Sequence, residues 1–551
     1  MKRTVYLNQF KYNTIILLLV CGIISIILKD FTAAAIIILT VILNTAMGFA
    51  CAYEGGSDME KFPASLPEIL VTQGEKPYED NTVCGNPIKL EKYILYAVLI
   101  ICGFMTLLTI IRKQDLFTIF NLNINFILAA IPTGLPLAAA VSLAAGTQKT
   151  AKKNISVRKI QAVEKLGHAD IICIDITYFD KKSGLMENKE EAENFINIKM
   201  HEIIELIDRC NAAGIKTCMF TSENFTASKG SALAGSDIEH MNESKLKKAV
   251  SETAVYSKVT PAQKAKIIRL LKNEGYTCIM AGCEQEDIPA LKEADVGITS
   301  ADDITGVTGA ADIILTDDNF SRIPDLIKEG KIIISHMKKY LKYFLTCNVC
   351  ETVLLLAAAL LSLPMPLLPV HILWINLAAS AFAAIALGFE PPESDIMETY
   401  TGKSAENTFS GKLLDEVLIR GILTGISAFI VFISVYNFKG SLAEARTAVF
   451  ALLVLFQLIY IFECKNEKYD IFQINIFKNK FILGAGAVTA VLTAFILYIP
   501  GLGDILKTYP LQKQDWFILS GFVFFSLYFS RLEEFIKRLF KKKKERTIRL
   551  Y

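Results

Sequence analysis

The stretch Ile171-Ile172-Cys173-Ile174-Asp175-Ile176-Thr177 decides the fold, because it is an isoleucine-rich run that ends in a carboxylate. Such a run predicts a buried strand, and the C-terminal end of a strand in an open α/β sheet is the usual place for chemistry. Other strands and helices are predicted nearby: strands Thr217–Phe220, Cys278–Ala281, Val296–Ile298 and Ile313–Leu315, and helices Met200–Ala213 and Pro261–Asn273. This alternation predicts a parallel, doubly wound sheet.

On both sides of this module the chain is apolar. It has 551 residues, of which 52% are hydrophobic, and such a composition predicts several bilayer spans of about 20 residues. Ten spans are predicted: Thr14–Leu28, Ala33–Ala52, Tyr93–Ile111, Leu116–Ala145, Tyr340–Leu363, Leu367–Phe389, Leu414–Tyr436, Thr447–Phe462, Phe481–Ile499 and Trp516–Phe529. The protein is therefore predicted to be a polytopic α-helical membrane protein whose partners include the lipid bilayer.

Basic residues orient the predicted spans. Lys541–Lys544, Lys152-Lys153 and Lys338-Lys339 place both termini and the α/β module in the cytoplasm of a multi-pass cell-membrane protein. The net charge of +2 gives no indication of a nucleic-acid partner. The twelve cysteines lack the spacing of a disulfide framework and are predicted to be reduced packing residues.

Polar residues inside the spans predict a cation site. Asn348 and Glu351 lie three residues apart on one predicted helix, and Asn376 and Ser380 lie four apart on the next, so each pair shares a helical face. A carboxylate within the membrane is costly and suggests a function. Together with Gln457 these groups could form one oxygen-rich cation site, or they could simply hydrogen-bond neighbouring helices.

The fourth span contains Ile131-Pro132-Thr133-Gly134-Leu135-Pro136. Two prolines and a glycine at that depth free backbone carbonyls, and broken helices of this kind often line ion or substrate sites. A simple packing kink is the alternative interpretation.

Several further motifs follow one another along residues 8–412: Asn8–Lys11, Ile131–Pro136, Ser156–Glu164 with Leu166-Gly167, Val259–Lys264, Ala294–Ile298, Leu373–Leu377 and Ala386–Pro392. The order of these motifs resembles that of the calcium- and sodium-pump-like branch of the P-type ATPases. The resemblance implies that the soluble module is a haloacid-dehalogenase-like phosphorylation domain. It matches the phosphorylated aspartate to Asp175, and other catalytic positions to Thr177, Thr221, Lys264 and Asp287.

Several positions depart from the family pattern. The DKTGT motif is Asp175-Ile176-Thr177-Tyr178-Phe179, and the magnesium aspartate of the TGDGxND motif is Cys283, a soft ligand that suits magnesium poorly. Asp175 and Asp287 remain as the matched metal candidates. In the transport site, Thr133 and Ser380 replace carboxylates while Asn348, Glu351 and Asn376 are retained. One carboxylate with neutral oxygens suits a monovalent cation or a proton better than calcium.

The resemblance also implies that whole domains are reduced. Only Asp180 to about Lys199 stands where the family inserts its nucleotide-binding domain, and Thr72–Pro77 looks like a remnant of the actuator loop. The predicted division is spans 1–2 in 1–52, an actuator-region loop in 53–92, spans 3–4 in 93–146, the phosphorylation-domain-like module in 147–338, spans 5–6 in 339–412, spans 7–10 in 413–531 and a basic tail in 532–551.

The favoured hypothesis is a pseudo-ATPase, without bound cofactor, that regulates or accompanies another membrane protein or binds a cation passively. The alternative is a cation pump that uses ATP and magnesium and is phosphorylated on Asp175. A third hypothesis is a small phosphatase that uses the same aspartate.

Overall fold

The computed structural model describes residues 13–27, part of 31–42, 87–130, 155–222 except 185 and 187, 232–301, 306–316, 319–376, 380–399 except 392 and 394, 411–465, 479–529 and four residues of 531–535. Its first elements are helices α1 (Asn13–Ile27), α2 (Pro87–Ile111) and α3 (Leu116–Ala130). The α/β module follows as β1 (Ile155–Val157), α4 (Ile160–Gly167), β2 (Ile171–Asp175), α5 (Thr177–Gly184), α6 (Lys189–Ala212), β3 (Lys216–Thr221), β4 (Ala232–Ala234), α7 (Gly235–His240), α8 (Glu243–Glu252), β5 (Val255–Ser257), α9 (Pro261–Asn273), β6 (Cys278–Ala281), α10 (Ile288–Glu293), β7 (Val296–Ser300) and β8 (Ile313–Leu315). The remaining helices are α11 (Ile323–Leu360), α12 (Pro369–Trp374), α13 (Ser380–Gly388), α14 (Ile396–Thr399), α15 (Gly411–Lys439), α16 (Leu442–Cys464), α17 (Lys480–Tyr498), α18 (Pro500–Leu506) and α19 (Lys513–Ser526).

The eight strands form one sheet in the order β1-β8-β7-β6-β2-β3-β5-β4. All five predicted strands are confirmed, and β2 lies between β6 and β3, with Asp175 opposite Phe220. The prediction of a wholly parallel sheet is wrong at one edge, because β1 runs antiparallel to β8. A three-residue edge strand carries too little pattern to reveal its direction from sequence.

Both faces of the sheet are covered by helices. Along β2, Ile172 and Ile174 belong to one apolar core, and Ile171 and Cys173 belong to the other, since successive side chains of a strand point to opposite faces. Every residue of β2 is buried. A strand that is apolar on both faces is what a doubly wound sheet requires at its centre.

Helices α5 and α6 fill the connection from β2 to β3. The predicted helix Met200–Ala213 begins earlier, at Lys189, so it includes the charged run that precedes it. Asn188 caps its N-terminus through a hydrogen bond from the Glu190 amide. Leu206 packs in the module core, and Arg209 pairs with Asp325 at 2.5 Å. The connection is therefore a docked helix of the module.

Helix α11 joins the module to the apolar helices without a break. Its 38 residues span about 57 Å at 1.5 Å per residue. Near its start, Leu326 and Ile327 belong to the core of the module; near its end, Leu354 and Leu355 belong to the core of the apolar bundle. One helix therefore belongs to two hydrophobic cores.

Five described helices are long and apolar enough to cross a membrane: Ile94–Ile111, Phe320–Leu360, Leu413–Lys439, Leu442–Cys464 and Lys480–Tyr498. They indicate a multi-pass membrane protein, but they do not confirm the predicted count of about ten. Within the predicted sixth span the structure describes the short helices α12 and α13, and residues 377–379 between them lie outside the described residues. Residues 43–86, the Ile131–Pro136 break and the lysine tail lie outside the described residues, and the placement of the termini stays a prediction.

The loop between α2 and α3 contacts the far end of α11. Arg112 donates hydrogen bonds to the carbonyls of Ala359 and Leu360, at 2.6 and 2.7 Å. A cationic side chain satisfies the last carbonyls of a helix and complements its dipole. Arg112 therefore caps the C-terminal end of α11, a structural role that its charge alone would not predict.

Close backbone contacts position α11 against its neighbours. In the module, a Cβ added at Gly167 would lie 2.5 Å from the Gly330 carbonyl, so α4 and α11 touch without side chains between them. In the bundle, a Cβ added at Gly421 would lie 2.6 Å from Val349, and one at Gly425 would lie 2.8 Å from the Cys350 carbonyl. Small residues four apart allow this close approach.

We predict that Gly167→Ala lowers the thermal unfolding temperature of the full-length protein, because the new methyl group overlaps the Gly330 backbone. Overpacking of this kind costs about 1–3 kcal/mol. Gly184→Ala is the matched control, since nothing lies within 4 Å of its added Cβ. Equal unfolding temperatures for the two variants would contradict the close helix contact.

Candidate functional site

Asp175 stands at the C-terminal end of the central strand β2 and is 1% exposed. Its Oδ1 accepts hydrogen bonds from the Thr177 amide, at 2.9 Å, and the Thr177 hydroxyl, at 2.6 Å. Its Oδ2 accepts a hydrogen bond from Lys264. Both oxygens of the matched nucleophile therefore have partners within the chain.

Lys264 lies near the N-terminus of α9. Thr260 and Gln263 form a reciprocal capping box at this end, which satisfies two backbone donors and sets the start of the helix. The Lys264 ammonium contacts Asp175 and also donates to Oδ1 of Asp287 at 2.8 Å. The sequence-predicted residues Asp175, Thr177, Lys264 and Asp287 thus meet in one buried cluster.

Asp287 ends the short 3₁₀ turn that follows β6. Its Oδ2 accepts a hydrogen bond from the Glu284 amide at 3.1 Å. Gly282 makes room for this carboxyl, because a Cβ there would lie 2.6 Å from Oδ2. All four carboxylate oxygens of Asp175 and Asp287 consequently accept hydrogen bonds from this chain.

The cluster balances its own charge. Burial raises the pKa of Asp287 to about 8, and the negative charge of Asp175 acts in the same direction. Burial also acts to raise the pKa of Asp175, but the hydrogen bond with Asp287 and the charge of Lys264 together lower it. A protonated Asp287 beside an ionised Asp175 and a charged Lys264 makes a neutral buried group, and the two carboxyls titrate as a pair.

The donors near Asp175 do not fit a magnesium ion. Cys283 is buried at the position matched to the metal aspartate, and magnesium demands hard oxygen ligands in octahedral geometry. The Lys264 ammonium already contacts both remaining carboxylates. Over the described residues, no group of three or more His, Cys, Asp or Glu side chains is arranged to hold a metal ion.

The residues after Asp175 pack into the module. Phe179 is 3% exposed and lies 5.6 Å from Phe320, centroid to centroid. Helix α5 begins at Thr177, so the segment that would approach a phosphate is helical and is held by an aromatic core contact. Thr221 is buried at the end of β3, the neighbouring strand.

The membrane candidates fall into two groups. Asn348 and Asn376 donate hydrogen bonds to the carbonyls of Ala130 and Leu128 in α3, at 3.3 and 3.1 Å. These two asparagines therefore form interhelical contacts, one of the two roles that the sequence left open. Ser380 is the first residue of α13, and Thr133 lies outside the described residues.

Glu351 and Gln457 form the second group and line one small cavity between α11, α15, α16 and α19. Sequence reasoning placed these two together but missed Arg420, which lines the same cavity. An arginine within the predicted seventh span was the available signal, because charged residues in spans are rare and usually functional.

We predict that Asp287→Asn flattens the pH dependence of thermal unfolding. The folded chain keeps a proton on Asp287 up to about pH 8, whereas an unfolded carboxyl loses it near pH 3.8. Stability therefore falls as pH rises through this window, by at most about 1.4 kcal/mol per pH unit. The asparagine carries no titrating proton and should remove that slope.

The unfolding temperature of the full-length protein between about pH 5 and about pH 8 measures this effect. Glu286→Gln is the control, because the neighbouring Glu286 side chain is 60% exposed. An identical slope in the wild-type and Asp287→Asn proteins would contradict the proton on Asp287.

Comparison with known proteins gives two family matches. Residues 364–538 match the model described as cation transporting ATPase, C-terminus, and residues 106–295 match haloacid dehalogenase-like hydrolase. The first match covers the later apolar helices, and the second covers most of the α/β module. The module is therefore a haloacid-dehalogenase-like domain with a mixed sheet.

Curated relatives agree with these matches. A calcium-transporting ATPase of Bacillus subtilis is 33% identical over 376 residues, which cover 63% of this chain and 42% of the relative. Calcium-transporting ATPase 1 of Bacillus cereus is 31% identical, over 58% of this chain and 39% of the relative. A probable cation-transporting ATPase F of Mycobacterium bovis is 28% identical, over 56% and 36%. The chain spans about two fifths of the length of these relatives, and it belongs to the P-type cation-transporting ATPase family.

Proposed function

We propose that this protein is a pseudo-ATPase: a membrane protein that retains the phosphorylation module and the helical bundle but carries out no productive ATP cycle. The observation that supports this most directly is the closed cluster at Asp175. Each oxygen of Asp175 and Asp287 accepts a hydrogen bond from the chain, and a thiol stands at the position of the metal carboxylate.

Phosphoryl transfer depends on the metal ion and on positioning more than on covalent help from the protein. A magnesium ion at this site would have to displace Lys264 from two carboxylates and accept Cys283 as its neighbour. Neither change is favourable for a hard cation. The cluster is better suited to hold β2, helix α9 and the turn after β6 together than to bind a metal and a phosphate.

The connection from β2 to β3 supports the same proposal. In the family, the nucleotide-binding domain is inserted here, whereas residues 176–215 of this chain form α5, α6 and short connections. The α6 side chains Ile203, Leu206 and Cys210 are buried in the module. Because α5 and α6 take up most of this connection, too few residues remain in it to form a nucleotide-binding core.

The bundle would then act in one of two ways, as a partner or regulator of another membrane protein or as a passive binder of a monovalent cation or proton. The alternative function is an ATP-driven cation pump phosphorylated on Asp175, with magnesium and ATP as its cofactors. The names of the relatives favour this alternative, since they are calcium- or cation-transporting ATPases.

We predict that the purified full-length protein forms no acid-stable, hydroxylamine-labile phosphoenzyme with radiolabelled ATP or acetyl phosphate and magnesium. Acetyl phosphate is included because this small donor does not need a nucleotide-binding domain. Asp175→Asn serves as the background control. A label that is present in the wild-type protein and lost in Asp175→Asn would overturn the pseudo-ATPase proposal in favour of the pump.

We predict further that Cys283→Asp, but not Cys283→Ser, creates a site for Mn²⁺, because the aspartate restores a hard oxygen ligand at the position matched to the family's metal aspartate. Electron paramagnetic resonance of Mn²⁺ with the full-length protein reports this binding without any catalytic readout. Cys283→Ser is the matched control, since it removes the thiol without adding a carboxylate. Mn²⁺ binding by the wild-type chain that disappears in Asp175→Asn would show that the metal site is intact.

A further inference from the structure

Four ion pairs link α11, α15, α16 and the connection that follows α13. They are Lys342–Glu416 at 2.7 Å, Arg420–Glu463 at 2.6 Å, Lys465–Glu390 at 3.4 Å and Lys339–Glu393 at 2.6 Å, measured between nitrogen and oxygen. In the predicted topology all eight residues lie near the cytoplasmic ends of spans five to eight. We call these eight residues the ion-pair ring, because the pairs follow one another around a closed path.

The first half of this path runs from α11 to α16. Lys342 of α11 pairs with Glu416 of α15. One turn further along α15, Arg420 pairs with Glu463 near the end of α16. Residues four apart on a helix lie on the same face, so α15 joins its two neighbours through one face.

The second half of the path returns from α16 to α11. Lys465, immediately after α16, pairs with Glu390 in the connection. Glu393 of the same connection pairs with Lys339, which lies three residues before Lys342 on α11. The path is therefore closed, and each of the four elements contributes one charged residue to each of its two neighbours.

The ion-pair ring is neutral and largely buried. Four cations pair with four carboxylates, and none of the eight side chains is more than 19% exposed. Buried charges depend on their partners, because removing one partner leaves the other uncompensated. Salt also screens buried pairs much less than exposed ones. These four pairs therefore differ from surface ion pairs, which contribute little to stability.

Further contacts hold the connection against the helices around it. The Nε2 atom of His336 lies 2.9 Å from the Glu390 carbonyl oxygen, and Lys331 donates a hydrogen bond to the Met397 carbonyl at 2.7 Å. Asn479, at the start of α17, donates a hydrogen bond to the Glu390 carboxylate. Glu390 is thus held by α11, α16 and the N-cap of α17.

We infer that the ion-pair ring is one cooperative unit that holds α11, α15, α16 and the connection in a single arrangement. A shift of α11 by one turn, about 5.4 Å, would break its pairs with Glu416 and Glu393 together. Two buried lysines would then lose their partners, which is strongly unfavourable. A helix that switches needs a second arrangement of similar free energy, and the ring opposes one.

The inference deepens the proposed function and rests on it. Alternating access requires parts of a bundle to move against each other, whereas a chain without an ATP cycle can keep its helices in one arrangement. A fixed bundle favours the role of partner or regulator, since it presents a constant surface to another membrane protein.

The test opens the ring at one pair and measures the opposite pair. The variant is Lys342→Gln with Glu416→Gln, which removes both charges so that neither is left alone. Amide hydrogen exchange of the full-length protein in detergent is followed by mass spectrometry in peptides around Glu390 and Lys465. We predict that exchange there becomes at least about threefold faster, because members of one ion-pair network are coupled.

Lys439→Gln with Asp515→Asn is the matched control, because this pair, at 2.7 Å, lies at the other end of α15 and joins it to α19. It should leave exchange around Glu390 and Lys465 unchanged. Lys342→Arg keeps the charge in the ring and should also behave as the wild-type protein.

Faster exchange that is confined to the residues around Lys342 and Glu416 would overturn the inference, because the four pairs would then act independently. An equal increase around Glu390 in the control variant would overturn it as well. Should the double variant fail to fold, Glu416→Asp takes its place and is read in the same way, since it keeps the charge but shortens the side chain.

A phosphoenzyme assay on the same preparation separates the two proposals. A label from ATP that is lost in Asp175→Asn would overturn the proposed function, whereas the exchange measurement addresses the ion-pair ring alone.

Discussion

The structure depends on one unbroken helix, α11, which belongs to two hydrophobic cores at once. Its first turns complete the core of the α/β module through Leu326 and Ile327, and its last turns complete the bundle. Gly330 allows α11 to contact the backbone of α4 in the module, and Gly421 allows α15 to approach α11 closely in the bundle. Both ends of α11 are therefore held closely by their neighbours. A displacement of the module would therefore have to be transmitted through α11 or break one of these contacts.

Two buried ion clusters lie along this architecture, and both are compensated from within the chain. In the module, Lys264 serves Asp175 and Asp287. In the bundle, Arg420 pairs with Glu463. Breaking such a cluster by removing one partner is costly because a buried charge is left alone. The carboxylates of the module that could bind a phosphate or a metal are thus engaged in structure, which is the physical content of the pseudo-ATPase proposal.

The fold does not need a metal ion or a phosphate at Asp175, because its stability comes from strand pairing and from apolar cores. The sheet is held by its strand ladder and by two apolar cores, neither of which requires a metal or a nucleotide. Replacing a metal carboxylate by Cys283, or placing Phe179 against Phe320, adds apolar contact at the site. Such residues preserve the packing of the module whether or not it performs chemistry.

The sequence by itself determined the central strands, helix α9, the family and the meeting of Asp175, Lys264 and Asp287, because short apolar runs and ordered motifs are local signals. It did not determine the antiparallel pairing of the edge strand β1 or the start of α6 at Lys189, since both depend on packing partners far away in the chain. Only the tertiary structure showed that Arg420 shares a cavity with Glu351. The reason is geometric: two glycines of α15 admit a close crossing with α11, and no local pattern encodes which side chains such a crossing brings together.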